Sequence, residues 1–247
     1  FCDSLGIPCF IKNADVRALA KEWGISEEMA GRRVRYDFFD ELMLEYGIDF
    51  TATAHHRNDN AETIVMNFIR GSATAGLCGI PYKRGNYIRP LLDVSREEIE
   101  NYCGVHSLQY VTDKTNLDTV YTRNKIRNIF IPQIEKGFNP NFCETITANA
   151  QIIRDDEAFL TGTAENEYRK TVKDGFADTQ KIMNMHKAVA RRVIRMMIAD
   201  VSDLYDVSSV VVENIYKLCS KNKTGTVCNV TKNIVARIEY GKLVISY

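Results

Sequence analysis

An apolar run from Ile48 to Ala54 is followed within a few residues by a helical apolar stripe: Ala61, Ile64, Val65 and Phe68. The first run reads as a buried strand. The i, i+3, i+4, i+7 spacing of the second predicts an amphipathic helix from Asp59 to Arg70. Gly71 stands where a helix stop belongs. Between strand and helix sit His55, His56, Asp59 and Glu62. The carboxyl end of a strand is where open α/β sheets place ligands. Asp59 and Glu62 also fit a capping box, in which both carboxylates would only hold the helix start. The cluster has no nucleophile, lysine or phosphate-cradling glycine, so by itself it names no reaction.

The flanking elements repeat the alternation. Pro8–Lys12 is a strand candidate, and Val16–Trp23 a short helix stopped by Gly24. Ser26 caps a longer helix with Glu27 and Glu28 in its first turn. Val34, Phe38, Leu42 and Tyr46 give that helix its stripe, and Gly47 ends it. Strand–helix–strand–helix order implies a parallel sheet covered by helices. Ser95 with Glu98 makes a capping box for a helix over Arg96–Cys103, and Leu108–Val111 is another strand candidate. Gly137, Asn139 and Pro140 mark a boundary, giving domains 1–137 and 138–247. The second domain reads as mostly helical, over Asn141–Arg169, Met185–Val201 and Ser208–Cys219. Its tail reads as strands over Val227–Val230, Ile234–Tyr240 and Leu243–Tyr247, with a hairpin turn at Tyr240-Gly241-Lys242.

A chain of 247 residues with zero net charge carries no global basic field, so any RNA contact must be local. Its seven cysteines form no C-x-x-C pair, which signals neither a disulfide framework nor a zinc or iron–sulfur site. Free thiols fit a reducing cytoplasm. No apolar run reaches the ~18 residues of a membrane span, and no signal peptide is visible.

Local basic groups occur in three places. Arg32 and Arg35, three apart on one helix face, read by themselves as a solvated basic face. Arg123, Lys125 and Arg127 flank Asn124 with no acid between them, which suits either a basic helix start or an RNA-backbone surface. Lys187, Arg191, Arg192 and Arg195 are either solvated or RNA-facing. The small-residue run Ser72–Pro81 suits close backbone approach to a ligand or a plain connector.

The stretch A-T-A-H-H-R-N-D-N-A-E-T-I-V-M-N-F-I-R-G, Ala52 to Gly71, resembles the H-H-x-D-D-x-x-E-T-x-x-x-x-x-x-R-G signature of tRNA(Ile)-lysidine synthetases, a family of ATP pyrophosphatase-type (PP-loop) enzymes. Asn58 replaces the signature's first Asp. Four further blocks follow the family's order. They are E-M-A-G-R-R-V-R-Y (Glu28–Tyr36), the R-G-S-x-x-x-G-L-x-G-I-P form (Arg70–Pro81), R-P-L-L before S-R-E-E-I (Arg89–Ile99), and D-K-T-N-L-D-T-V-Y-T-R-N-K-I-R (Asp113–Arg127).

The resemblance implies an α/β, parallel-sheet PP-loop domain followed by a mostly helical domain with a β-hairpin tail. Neither G-x-x-x-x-G-K-[ST] nor S-G-G-x-D-S occurs. The PP-loop domain is therefore expected to lack its first strand and phosphate loop, and the 247 residues alone to be inactive. The implied reaction is ATP-dependent ligation of lysine to the wobble cytidine of tRNA(Ile) with a CAU anticodon, through an adenylated cytidine. It implies ATP and Mg²⁺, a cytoplasmic location, no membrane, and allows a homodimer. Implied catalytic residues are His55, Asp59 and Glu62, with Asp59 also the metal candidate. Nucleotide or cytidine contacts are Arg32, Arg35, Ala54, His56, Arg70 and Gly71. Contacts to tRNA are Arg89, Asn116, Arg123, Asn124 and Arg127. Sister PP-loop thiolases use C-x-x-C cysteines, absent here. The alternative is a non-catalytic RNA-binding fragment or degenerate paralogue.

Overall fold

Glycine at positive φ closes the first two long helices where the sequence places stops. Helix α1 (Val16–Trp23) ends at Gly24, and α2 (Glu27–Tyr46) at Gly47. Asp15 caps α1 by accepting the Ala18 N–H, and Ser26 caps α2 by accepting the Met29 N–H. In this computed structural model, residues 1–111, 122–202 and 207–247 are described. They divide into two compact units, 1–59 with 81–110, and 60–80 with 111–247. The boundary expected at Gly137 falls within the second.

The first unit holds a three-stranded sheet in the order β1 (Thr51–Ala52), β3 (Tyr87–Ile88), β2 (Lys83–Arg84). The β1–β3 pair is parallel and the β2–β3 pair antiparallel, so the sheet is mixed. Only two residues of the Ile48–Ala54 run enter the ladder. Pro8–Lys12 and Leu108–Val111 form no strand. Both are largely exposed, so the apolar pattern there has no covering layer to make a buried strand worthwhile. Helix α3 (Arg57–Ile69) leaves β1 and continues into the second unit, and α5 (Arg96–Val105) starts with the capping box expected at Ser95 and Glu98.

In the second unit, α3 is followed by the short α4 (Thr74–Leu77). A helical run then begins as α6 (Thr122–Lys125), passes through a π-helical turn at Ile126–Phe130, and continues as α7 (Ile131–Gly137). The i→i+5 bond from Ile131 N–H to Ile126 O marks the wide turn. It lets Ile126 and Ile131, five apart, both bury against Ala61 and Val65 of α3.

The long α8 (Phe142–Thr171) leads into the hairpin β4 (Val172–Lys173) and β5 (Phe176–Asp178). Then come α9 (Thr179–Asn184), α10 (Lys187–Val201), α11 (Ser209–Lys221), β6 (Val227–Asn229), β7 (Val235–Glu239) and β8 (Lys242–Ser246). The strands form one antiparallel sheet in the order β4-β5-β8-β7-β6, larger than the hairpin tail the sequence suggests. Along β7 the buried residues Ala236 and Ile238 alternate with partly exposed ones. Ile194, Ile198 and Ile215 from α10 and α11 share a core with Ile238 and Leu243 of the sheet. Each such side chain contributes about 1.5–3 kcal/mol by burial. The β7–β8 turn has Tyr240 and Gly241 both at positive φ, as a tight two-residue hairpin demands. The β4–β5 turn repeats this with Asp174 and Gly175.

Surface charge adds a pH-dependent component. Lys187 Nζ and the Arg191 guanidinium bond the Glu213 carboxylate from α10, at 2.8 and 2.6 Å, and hold its pKa near 2 against an ordinary 4.5. A carboxylate depressed in the folded state stabilises fully above its unfolded pKa and loses that stabilisation as pH falls. The expected window therefore runs from about pH 4.5 down to about 2. Glu213→Gln should flatten this acid limb in denaturant titrations by lowering stability at neutral pH while leaving it nearly unchanged at pH 2. An unchanged limb would show that the contact is screened away.

Candidate functional site

In the first unit the signature residues gather at the turn from β1 into α3. Thr53 N–H donates to Ile88 O, which fixes the strand end, with exposed Ala54 next in the chain. Thr53 Oγ1 and His55 Nδ1 lie 2.9 Å apart, so the hydroxyl orients that ring. The helix begins at Arg57, not Asp59. Asp59 sits in the first turn, where its Oδ2 accepts the His56 backbone N–H at 3.1 Å and lies 3.3 Å from His56 Nε2. Asp59 thus takes the position expected of Glu62 in a capping box, because the chain turns helical two residues earlier than the apolar stripe suggests.

Arg57 is drawn inward, its N–H bonded to Val94 O and its guanidinium to Asp93 O. Asn58 Oδ1 accepts the Arg96 N–H at 2.9 Å, one of the orphan donors at the start of α5. The substitution that departs from the family signature therefore keeps an oxygen acceptor and uses it between two helix starts.

The arginines of the first unit separate. Arg32 and Arg35 lie exposed on α2, Arg32 stacking over the Tyr36 ring at 4.9 Å. Arg89 is only 5% exposed, and its Nη1 donates to Pro81 O at 2.7 Å. Its guanidinium acts inside the unit, pinning the chain ahead of β2.

In the second unit Glu62 is 2% exposed. Arg127 Nε donates to its Oε1 at 2.5 Å and Arg127 Nη2 to its Oε2 at 3.0 Å. Arg123 Nε donates to the same Oε2 at 2.8 Å. Removing one partner of such a buried pair typically costs about 3–5 kcal/mol. Asn124 lies partly exposed beside Arg123, and Asn116 falls outside the described residues. Arg70 and Gly71, both exposed, end α3 about two turns from Glu62.

Sequence reasoning missed what holds the Ser72–Pro81 connector. Asn60, buried at a stripe position four before Ile64, accepts the Ile80 N–H at 2.8 Å. Asn67 Nδ2 donates to Gly76 O, and Arg154 Nη2 to both Cys78 O and Ile80 O. Thr74 Oγ1 donates to Glu157, which also accepts from the Arg192 guanidinium. Burial opposes the charge on Glu157, but Arg192 and Thr74 outweigh it and hold the carboxyl below its ordinary pKa. A Cβ on Gly79 (φ +68°) would lie 2.2 Å from Asn60 Oδ1. This glycine serves backbone packing within the unit. The polar residue in an apolar stripe was the available signal; Arg154 and Glu157 gave none on a long charged helix. The basic run on α10 also resolves: Lys187 and Arg191 reach Glu213, Arg192 reaches Glu157, and Arg195 donates to Val207 O.

Among the described residues, no group of three or more His, Cys, Asp or Glu is placed to hold a metal ion, and no helix is long and apolar enough to cross a membrane. Asp59 still suits Mg²⁺, which commonly takes one or two carboxylates together with substrate phosphates.

The chain matches known proteins along its length. The family described as PP-loop domain matches residues 1–134. A tRNA(Ile)-lysidine synthase of Clostridium perfringens is 38% identical over 98% of this chain and 52% of its own length. One from Clostridium tetani is 37% identical over 100% and 54%, and one from Porphyromonas gingivalis is 40% identical over 67% and 36%. The chain thus spans about half the length of the curated relatives it matches most fully. The three relatives are each named tRNA(Ile)-lysidine synthase, and this chain belongs to the PP-loop domain family.

Proposed function

We propose that the protein carrying this chain attaches lysine to the wobble cytidine of tRNA(Ile) with a CAU anticodon, at the expense of ATP. The observation that carries this reading is the strand-to-helix turn. It holds His55, His56 and Asp59 in the order of the lysidine-synthetase signature, and Asp59 is oriented by His56. The named relatives, 37–38% identical over nearly the whole chain, support the same reading.

The chemistry has two steps. The cytidine C2 oxygen attacks the ATP α-phosphorus and expels pyrophosphate. The lysine ε-amine then attacks C2, and AMP leaves with the C2 oxygen. Both steps need poor reactants held in line and phosphate charge neutralised. In this reading His55 faces the phosphates, while Asp59 orients the incoming amine and accepts its proton, or donates an oxygen to Mg²⁺. Mg²⁺ would supply charge neutralisation at the transferring phosphate. Arg32 and Arg35, with Ala54, His56, Arg70 and Gly71, are the candidate nucleotide or cytidine contacts. Arg123, Asn124 and Arg127 are the candidate tRNA contacts. Arg89 and Asn116 complete the tRNA set inherited from the resemblance, Arg89 acting through the chain it pins.

The test uses the whole protein with tRNA(Ile) transcript, ATP and isotope-labelled lysine, and scores lysine-dependent AMP release and the mass of the modified nucleoside. Asp59→Asn should lower kcat by ~10²–10⁴-fold, while stability falls by no more than ~1 kcal/mol, the ordinary worth of a helix cap. Wild-type protein that binds the tRNA but transfers no lysine would overturn the reading in favour of an RNA-binding module. A variant that melts early yet keeps normal turnover would leave Asp59 with capping alone.

A further inference from the structure

We propose that Asn58 is a positioning residue: it ties the turn carrying His55, His56 and Asp59 to the start of α5, and so sets where Asp59 stands for the reaction. The proposal rests on the reading of this turn as the reacting site and names what holds it in place.

Three observations converge. First, Arg57 and Asn58, the two residues between His56 and Asp59, both reach the segment Asp93–Glu98. The Arg57 N–H donates to Val94 O at 2.9 Å and its guanidinium to Asp93 O, with Arg57 Nη2 3.8 Å from Glu98 Oε2. Asn58 Oδ1 accepts the Arg96 N–H at 2.9 Å. Second, the receiving segment is itself anchored. Leu92 is 1% exposed, the Val94 N–H donates to Leu91 O, and the Tyr82 hydroxyl donates to Asp93 Oδ1 at 2.6 Å. Ser95 and Glu98 close their own capping box. Third, a backbone N–H can bond only the oxygen end of an asparagine amide. The Arg96 donor therefore fixes the direction of the Asn58 side chain as well as its place.

The needs of α5 do not call for this bond. That helix already carries a cap from its own chain. Arg96 is exposed, and water commonly serves the first donors of such a helix. The acceptor comes instead from 38 positions earlier, out of the turn that holds Asp59. The bond is accounted for if its work is done at the turn.

Asparagine offers an oxygen acceptor and an NH₂ donor. A positioning role uses the acceptor; a direct contact with a substrate phosphate uses the donor. Aspartate, the residue of the lysidine-synthetase signature at this position, keeps the acceptor alone. In the whole protein, Asn58→Ala removes both groups and Asn58→Asp restores the acceptor. Each variant is read twice: by native-state amide exchange without ligands, and by kcat and KM for lysine transfer.

In Asn58→Ala the amides of residues 55–59 should exchange about tenfold faster, the scale of one hydrogen bond lost from a local opening. Its kcat should fall about tenfold to a hundredfold with KM for ATP unchanged, as when a reacting group is misplaced. Asn58→Asp should bring both readings back toward wild type. Faster exchange at Arg96 alone, or faster exchange at the turn with unchanged kcat, overturns the proposal. So does an Asn58→Asp variant with protected amides and lost turnover, because the NH₂ group is then what the reaction uses. If Asn58→Ala fails to fold, Arg57→Met decides: it cuts the guanidinium tie to Asp93 and keeps the backbone bond to Val94. Faster exchange at residues 55–59 with lowered kcat supports the proposal, and an unchanged turn sinks it. The exchange arm needs no lysine, so a wild type that transfers none is distinguishable from a turn that Asn58 does not hold.

Discussion

A carboxylate removed from water must be met by cations, and Glu62 makes that demand at the middle of α3. Nearby apolar side chains cannot meet it, so the requirement passes to a segment more than sixty residues further along the chain. Two guanidiniums have to arrive from one helix face while the residues between and beyond them keep the core dry. A regular α-helix spaces its inward residues at three and four. The π-turn inserts a spacing of five, and Ile126 and Ile131 then pack on α3 while Arg127 turns to the acid. The local irregularity thus serves the packing of Ile126 and Ile131 on α3, while Arg123 and Arg127, four apart, share one helix face.

The start of α3 obeys a different demand. The first N–H groups of a helix have no partner within it. Here the acidic and amide side chains serve as local acceptors: Asp59 for the His56 N–H, Asn58 for the Arg96 N–H. A side chain that caps is also one whose position is fixed. The same bonds that satisfy backbone donors therefore give Asp59 a defined geometry beside an imidazole.

Much of this was legible in the residues. Gly24, Gly47, Ser26, Ser95 and Glu98 mark helix ends by local chemistry, and each does so in the structure. The Tyr240-Gly241 turn was legible for the same reason, and Asp174-Gly175 carries the same local signal for the hairpin of β4 and β5. The Ile48–Ala54 run failed in extent because strand length is set by neighbours, and among the described residues only Tyr87–Ile88 pairs with it. The cluster His55, His56, Asp59 and Glu62 was found as a sequence group, but spacing could not tell which carboxylate was already committed. That depended on Arg123 and Arg127, whose distance along the chain hides the pairing from any local pattern.

The connector after α3 has a bearing on how the second unit comes into being. Its carbonyls are held by Arg154, 74 and 76 residues downstream, and Thr74 by a network completed with Arg192, 118 residues away. Closing loops of that length has an entropic cost that must be met before the contacts reward it. On the ribosome, residues 72–80 emerge long before α8 and α10 exist to receive them. The connector's bond from Thr74 to Arg192 can therefore form only after more than a hundred further residues have been made.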